Sequence, residues 1–332
     1  MSRARGLVRE AERIIELLSD DYRAEPLARV AFVYAGLGEI KRAERAVGAA
    51  SELAEAHRVA SLRVDSLIEV ARAYVRLGRM DVAAVEVRRA ELLLDEVRRW
   101  PFCSHAGAKV AGMRAVTGSA EVAERQALAI SDPAERVVGL LLVAGAAPAG
   151  AIRLVDEAER VGRAITAAGT AVQALTRVAG AMTEHGRYAD AGRVADEAER
   201  LAPDTEPDQR PEAYAQVAIA FARADQAGRA RPAALRAERL AMAGADPNIR
   251  RRTLQQVVEA HARTGDIERA ELLAGALGDS FGRAGARSRL ATVLAEAGDL
   301  ERAASIARAV EPAERLLRLD GLLGVAAAAS GG

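Results

Sequence analysis

Residues 67–90 read LIEVARAYVRLGRMDVAAVEVRRA, an amphipathic segment, a glycine and a second amphipathic segment. With Gly78 as zero, Val70 stands at minus eight, Ala71 at minus seven, Tyr74 at minus four, Met80 at plus two and Ala83 at plus five. The same register on Gly38 gives Val30, Ala31, Tyr34, Ile40 and Ala43. Set on six further positions, it returns alanine at plus five each time: Ala123, Ala151, Ala191, Ala230, Ala270 and Ala303. Positions minus eight and minus four share one face of an α-helix, and alanine at plus five lets a returning helix approach closely. Glycine between the two helices can take the left-handed backbone that reverses the chain.

Working outward, the turns fall at Gly38, Gly78, Gly118, Ala146, Gly186, Asp225, Gly265 and Gly298, at intervals of 40, 40, 28, 40, 39, 40 and 33 residues. Asp225 tolerates a left-handed turn better than Ala146 does, so the fourth turn is expected to adopt another geometry. Residues 3–18 read as half a pair ahead of the first full one. A final helix is expected over 313–328. The joins Ser131-Asp132-Pro133 and Glu311-Pro312-Ala313-Glu314-Arg315 place proline beside an acid, which suits a helix start. Being short, they are expected to change the curvature of the array, the first of them within a region at 100–150. Pro101, in Trp100-Pro101-Phe102-Cys103-Ser104, should interrupt the preceding helix. No interval supplies a useful run of alternating β-branched residues. With about 15 residues per helix, each rod is roughly 22 Å long.

The chain carries 47 basic and 47 acidic residues and no formal net charge, so it lacks the global field of a general nucleic-acid binder. Lys41 and Lys109 are the only lysines. The arginine bias is better explained by a GC-rich genome than by a binding requirement. Arg250, Arg251 and Arg252 form a local cluster, but three adjacent side chains point different ways around a helix. The single cysteine, Cys103, cannot form an intramolecular disulfide, which is compatible with a reducing compartment. The first residues lack the unbroken apolar core of a signal peptide, and the run VVGLLLVAGAAPAGA is too short for an ordinary membrane span. A cytoplasmic location is expected.

His57, His105, His185 and His261 lie in separate copies and show no HExxH or His/Cys ligand spacing, and no phosphate-binding glycine loop is present. No metal or cofactor is therefore assigned, and no catalytic residue. Acids such as Asp156 and Glu159 recur on second helices, where salt bridges on a solvated face explain them better than proton transfer.

The register resembles that of the tetratricopeptide repeats: a small residue in the first helix, a bulky one three later, glycine four after that and alanine five beyond. Ala71, Tyr74, Gly78 and Ala83 match, as do Ala31, Tyr34, Gly38 and Ala43. Met182, Phe221 and Leu294 substitute at the bulky position, Arg114 and His261 depart from it, and the family's tryptophan position holds Leu27, Leu67, Leu175 and Leu254. The resemblance covers about residues 5–328, with a repeat of 40 residues against the usual 34 or so. It implies an all-α, right-handed solenoid of antiparallel helical pairs, about eight of them, running as one array through residues 1–332.

Tetratricopeptide domains bind peptides or protein surfaces in a concave groove lined by first helices. That geometry puts Phe32, Ala35, Ile68, Arg72, Val75, Leu140, Thr176, Ile219, Gln255, Glu259 and Thr292 near the groove. Phe32, Ile68, Arg72, Ile219 and Glu259 are the chosen partner-binding candidates. The lysine-and-asparagine clamp for a C-terminal carboxylate is absent, so the expected ligand of this scaffold or regulatory module is an amphipathic helix or protein surface. An apolar small-molecule sensor or resistance protein, and a helical-repeat enzyme with dispersed catalytic groups, are the alternatives. The last helix, LLRLDGLLGVAAAA, holds more apolar positions than a terminal helix requires. Its surplus is expected to pack in a homodimer, bind a separate partner or fold back over the preceding pair.

Overall fold

The computed structural model describes residues 2–97 and 105–331, and among them every regular element is helical. The expected break at Pro101, and Cys103 with it, lie outside the described residues. The chain divides into two compact units, the first comprising Met1–Ala151 with Leu319–Gly332 and the second Ile152–Arg318.

Unit 1 opens with α1 (Ser2–Ile15). The pairs α2 (Ala24–Gly36) with α3 (Ile40–Ala56), and α4 (Ala60–Arg76) with α5 (Met80–Leu92), follow. After the short α6 (Leu94–Val97) come α7 (Ala106–Thr117) with α8 (Ala120–Leu128), and then α9 (Pro133–Ala146). Unit 2 takes up α10 (Ala151–Arg163) from its second residue. It continues with α11 (Ala168–Glu184) and α12 (Tyr188–Leu201), then α13 (Arg210–Arg223) and α14 (Ala227–Ala243). Its last pairs are α15 (Pro247–Arg263) with α16 (Ile267–Ala276) and α17 (Ser280–Glu296) with α18 (Leu300–Arg308). The final helix, α19 (Arg315–Ser330), joins unit 1 from Leu319 onward. Within each unit a first helix packs on its return helix and on the next first helix, the arrangement of a helical-repeat fold.

The sequence register explains these hairpins atom by atom. Gly38, Gly78, Gly186, Gly265 and Gly298 all have φ between 73° and 86°, and Asp225 has φ 58°. At each, the amide three residues past the helix end donates to the carbonyl of the minus-four residue: Glu39 to Tyr34, Arg79 to Tyr74, Arg187 to Met182, Gln226 to Phe221, Asp266 to His261 and Asp299 to Leu294, at 2.9–3.0 Å. This is the Schellman arrangement, and it satisfies carbonyls that a helix end would otherwise leave open. The bulky residue of the register is thus both the core plug and the turn's acceptor. All eight plus-five alanines are buried, as their close-packing role requires.

Two turns depart from the pattern. Gly118 has φ −152° rather than a left-handed value. Ala146 ends α9, and the left-handed residue is Gly150 at φ 93°, four positions later. Alanine carries a Cβ that disfavours the left-handed region, so the reversal moves to the next glycine.

Tyr34 is fully buried, with its hydroxyl donating to Glu12 at 2.8 Å, whereas Tyr74 is half-buried between two apolar clusters of unit 1. In α19, Leu319, Leu322, Leu323 and Val325 are buried, Leu323 to 1%. Among the leucines of α19 only Leu316 is strongly exposed. No helix among the described residues is long and apolar enough to cross a membrane.

Candidate functional site

Four positions of the first helix, at minus thirteen, minus nine, minus six and minus two from the turn residue, follow at spacings of four, three and four. They form one stripe, because at 100° per residue they stay within about 60° of arc. In unit 2 the stripe begins with Gln173, Arg177, Gly180 and Glu184 of α11, followed by Glu212, Gln216, Ile219 and Arg223 of α13. It continues with Arg252, Gln256, Glu259 and Arg263 of α15, then Gly285, Arg289, Thr292 and Glu296 of α17.

At the helix starts the stripe is rich in amides. Gln256 donates to Glu212 at 3.1 Å, and Gln173, Gln209, Glu212 and Gln216 line a recess of about 260 Å³ with Gly169 and Thr170. Toward the helix ends it becomes ionic. Glu259, 8% exposed, accepts from Arg263 at 2.9 Å and Arg289 at 3.2 Å, with Arg223 at 3.5 Å; Arg263 reaches on to Glu296 at 3.0 Å. Burial pushes the Glu259 carboxyl up, but the three guanidiniums outweigh it and hold the group below its ordinary value. Burial lowers Arg263, and Glu259 with Glu296 more than restore it. Burial alone lowers Arg177. Gly180 packs close to this cluster: a Cβ on it would stand 3.1 Å from Arg223 Nη1, and the guanidinium would have to shift slightly. Beside this cluster Thr183, Glu184, Tyr188, Arg223, Arg263 and Glu296 line a cleft of about 560 Å³.

Unit 1 carries the same stripe. In α2 it is Glu25, Arg29, Phe32 and Gly36, and in α4 it is Asp65, Glu69, Arg72 and Arg76. Lys109 of α7 pairs with Asp65 at 2.7 Å, Arg72 with Glu69 at 3.0 Å, and the Arg76 guanidinium lies 5.4 Å from the centre of the Phe32 ring.

Of the five candidates, Phe32, Arg72, Ile219 and Glu259 all stand at minus six, on the stripe. Ile68 stands at minus ten, some 70° round the helix by the same geometry. It is 4% exposed and part of the core under α4, so it belongs to packing rather than to an accessible face. Gln255 at minus ten is buried likewise, with its amide donating to the Gly282 carbonyl at 3.2 Å. Leu140 is also fully buried. The cluster at Arg250–Arg252 is divided as expected: Arg250 reaches the Gly244 carbonyl, Arg251 stacks on Phe281, and Arg252 faces Glu212.

One regular feature escaped the sequence reading. Arginine stands fifteen residues before five of the turn residues, and each donates to a carbonyl at the end of the preceding helix or in the join after it. Arg23 meets Glu16 at 2.8 Å, Arg63 meets His57 at 3.1 Å, Arg210 meets Thr205 at 3.0 Å, Arg250 meets Gly244 at 2.7 Å and Arg283 meets Leu277 at 3.1 Å. Arg136 does the same to Ile130 at 2.8 Å, fourteen before Gly150. These arginines lock successive pairs together, and the constant offset was readable from the sequence.

No family model matches the chain, and no curated protein does. Among solved structures, it is similar to the crystal structure of Ton1535 from Thermococcus onnurineus NA1 at 13% identity over 97% of this chain and 99% of that one, with a TM-score of 0.32. At that level the functional reading comes from the chain's own geometry.

Proposed function

We propose that this chain is a tetratricopeptide-like, right-handed solenoid that binds a protein or peptide segment along the first-helix stripe of unit 2. The observation that carries the reading is the stripe of mostly polar groups, most of them at least partly accessible, at the same four offsets on α11, α13, α15 and α17. Glutamine amides both donate and accept, which suits the peptide groups of an extended or helical segment. Arg223, Arg263 and Arg289 share one carboxylate and carry more donors than it accepts, so they can engage acidic side chains without a large rearrangement. Ile219 adds apolar area between the two ends. An apolar metabolite would desolvate these charges without replacing their partners, which disfavours the sensor reading.

The test is capture of partners from native cells on the intact chain, followed by cross-link mapping, with Gln216→Ala/Ile219→Asp as the comparison. The double variant should keep its helical circular dichroism and lose the partner. Cross-links confined to second helices, or recovery of a bound metabolite alone, would overturn the assignment.

A further inference from the structure

Glu-Ala-Glu-Arg occurs at residues 10–13 of α1, 157–160 of α10 and 197–200 of α12. The residue before it is Asp156 in α10 and Asp196 in α12, and each accepts from an arginine at the start of the next return helix, Arg187 and Arg229 respectively. In α1 that position holds Arg9. A base thus replaces an acid where the neighbouring return helix, α3, supplies arginines of its own.

Arg42 of α3 and Arg229 of α14 both stand four residues past their turn residues and lie over the ring of the minus-four residue, Tyr34 at 5.5 Å and Phe221 at 4.4 Å. Arg229 there meets Asp196 and, at 2.7 Å, Glu199 of the preceding return helix. Glu12 is the counterpart of Glu199, but the Tyr34 hydroxyl donates to it at 2.8 Å, a bond that Phe221 cannot make. Arg42 pairs instead with Glu39 at 3.1 Å, an acid it shares with Arg5 at 2.7 Å. Arg9 meets no carboxylate among the described residues, and Arg45 donates only to the Lys41 carbonyl at 3.4 Å.

Arg9, Glu12, Leu27, Arg42, Arg45 and Ala46 line one cleft of about 500 Å³ between α1, α2 and α3. Its lining holds three guanidiniums and one carboxylate in a chain of no formal net charge. In α14 the tetrapeptide becomes Arg236-Ala237-Glu238-Arg239, preceded by Leu235. The cleft at that junction, about 460 Å³, has Leu235 where Arg9 stands, and Arg269 keeps Glu238 at 2.5 Å. Stacked return helices therefore leave such a cleft in both units, and single residues set its charge.

We propose that the cationic cleft of unit 1 binds a phosphomonoester. Guanidinium forks match phosphate oxygens, and Arg9, Arg42 and Arg45 together offer more donors than a single carboxylate accepts. The oxygen of Glu12 that Tyr34 does not use takes a hydroxyl or amide donor beside the phosphate. The site does not involve the first-helix stripe of unit 2 and stands or falls separately from it.

Nuclear magnetic resonance of the intact chain tests it, following arginine Nε–H signals as methyl phosphate is added. Those of Arg9, Arg42 and Arg45 should shift together and saturate with one affinity, and acetate at equal concentration should move them far less. Arg9→Asp, which restores the acid found at Asp156 and Asp196, should weaken binding at least about tenfold through loss of a charge-assisted pair. Arg45→Gln should weaken it likewise, and decides the matter if Arg9→Asp fails to fold. Arg13→Asp, the same charge change at an exposed position outside the lining, should alter affinity less than about threefold in physiological salt. A capped phosphoserine tripeptide separates the two sources of the group: tighter binding than methyl phosphate assigns it to a polypeptide side chain, and equal or weaker binding to a small molecule. Shifts scattered over arginines along the whole chain, equal shifts with acetate, or equal losses for Arg9→Asp and Arg13→Asp would overturn the proposal.

Discussion

His261→Leu should stabilise this protein, and more so as the pH falls. His261 occupies the minus-four position that Tyr34, Tyr74, Met182, Phe221 and Leu294 fill in other repeats. It is 3% exposed, and neither ring nitrogen has a hydrogen-bond partner. Asp266 Oδ2 stands 3.7 Å from Nδ1, too far for a hydrogen bond. A buried unsatisfied polar group costs about 1–3 kcal/mol, and leucine fills a similar volume without one, so a gain of roughly 1–2 kcal/mol is expected near neutral pH. Burial lowers the imidazole's pKa; Asp266 and Glu238 oppose that shift while Arg269 and Arg231 add to it. Because the folded pKa lies below the unfolded one, the unfolded chain binds more protons as the pH falls. The histidine's contribution is then complete above about pH 6.5 and is lost below it, at up to about 1.4 kcal/mol per pH unit, until the folded pKa is reached. Urea unfolding of both proteins at about pH 7.5 and 5.5 isolates the effect, since other titrating groups cancel between them. A leucine variant that is less stable at both pH values, or a difference that does not widen on acidification, would refute the reasoning.

Tyr34→Phe should cost about 1.5 kcal/mol through loss of the hydrogen bond to Glu12, and Tyr34→Ala about 3–5 kcal/mol, both read by denaturant unfolding. Burial, with Glu12 beside it, pushes the Tyr34 phenol up to about 12, so in an ultraviolet titration its ionisation should fall well above the ordinary tyrosine value of about 10. Glu259→Gln should cost on the order of 2 kcal/mol, the low side for a broken buried ion pair, because Arg223 and Arg289 remain partly hydrated. Its carboxyl has a depressed pKa, so that contribution is present above the unfolded carboxylate range and lost as the pH falls through the folded value; the variant's deficit should shrink in acid. Gly78→Ala, at φ 75°, should cost about 1–2 kcal/mol, whereas Asp225→Gly, at φ 58°, should have the opposite sign.

The helical hairpins were legible because their determinants are local: a bulky residue, a turn residue and an alanine lie within ten positions of one another. The fourth turn was misplaced at Ala146 because plus five still found an alanine, Ala151, although the reversal itself occurs at Gly150. The candidate site was legible in part. A minus-six choice selects the stripe, but minus ten is one helical turn away and drifts toward the neighbouring first helix, which is where Ile68 and Gln255 are buried. The destination of α19 was not legible at all. Asp320 and Arg29 are 291 residues apart in sequence, and periodicity shows that a face is apolar without showing what it meets.

Arginine pairs with carboxylates on both faces of unit 2. Around the return helices arginine pairs with an acid of the preceding return helix: Arg187 with Asp156 at 2.7 Å, Arg193 with Glu159 at 2.8 Å, Arg229 with Glu199 at 2.7 Å, Arg269 with Glu238 at 2.5 Å and Arg302 with Glu271 at 2.9 Å. These contacts join one repeat to the next, and Arg229–Glu199 and Arg269–Glu238 use the same two offsets from their turns. On the first helices no two repeats carry the same four residues. Three arginines converge on Glu259, glutamines gather around Glu212, and Gly180 leaves room for Arg223. Under the proposed function such variation would fix the register of a bound segment, because identical contacts in every repeat would accept any register.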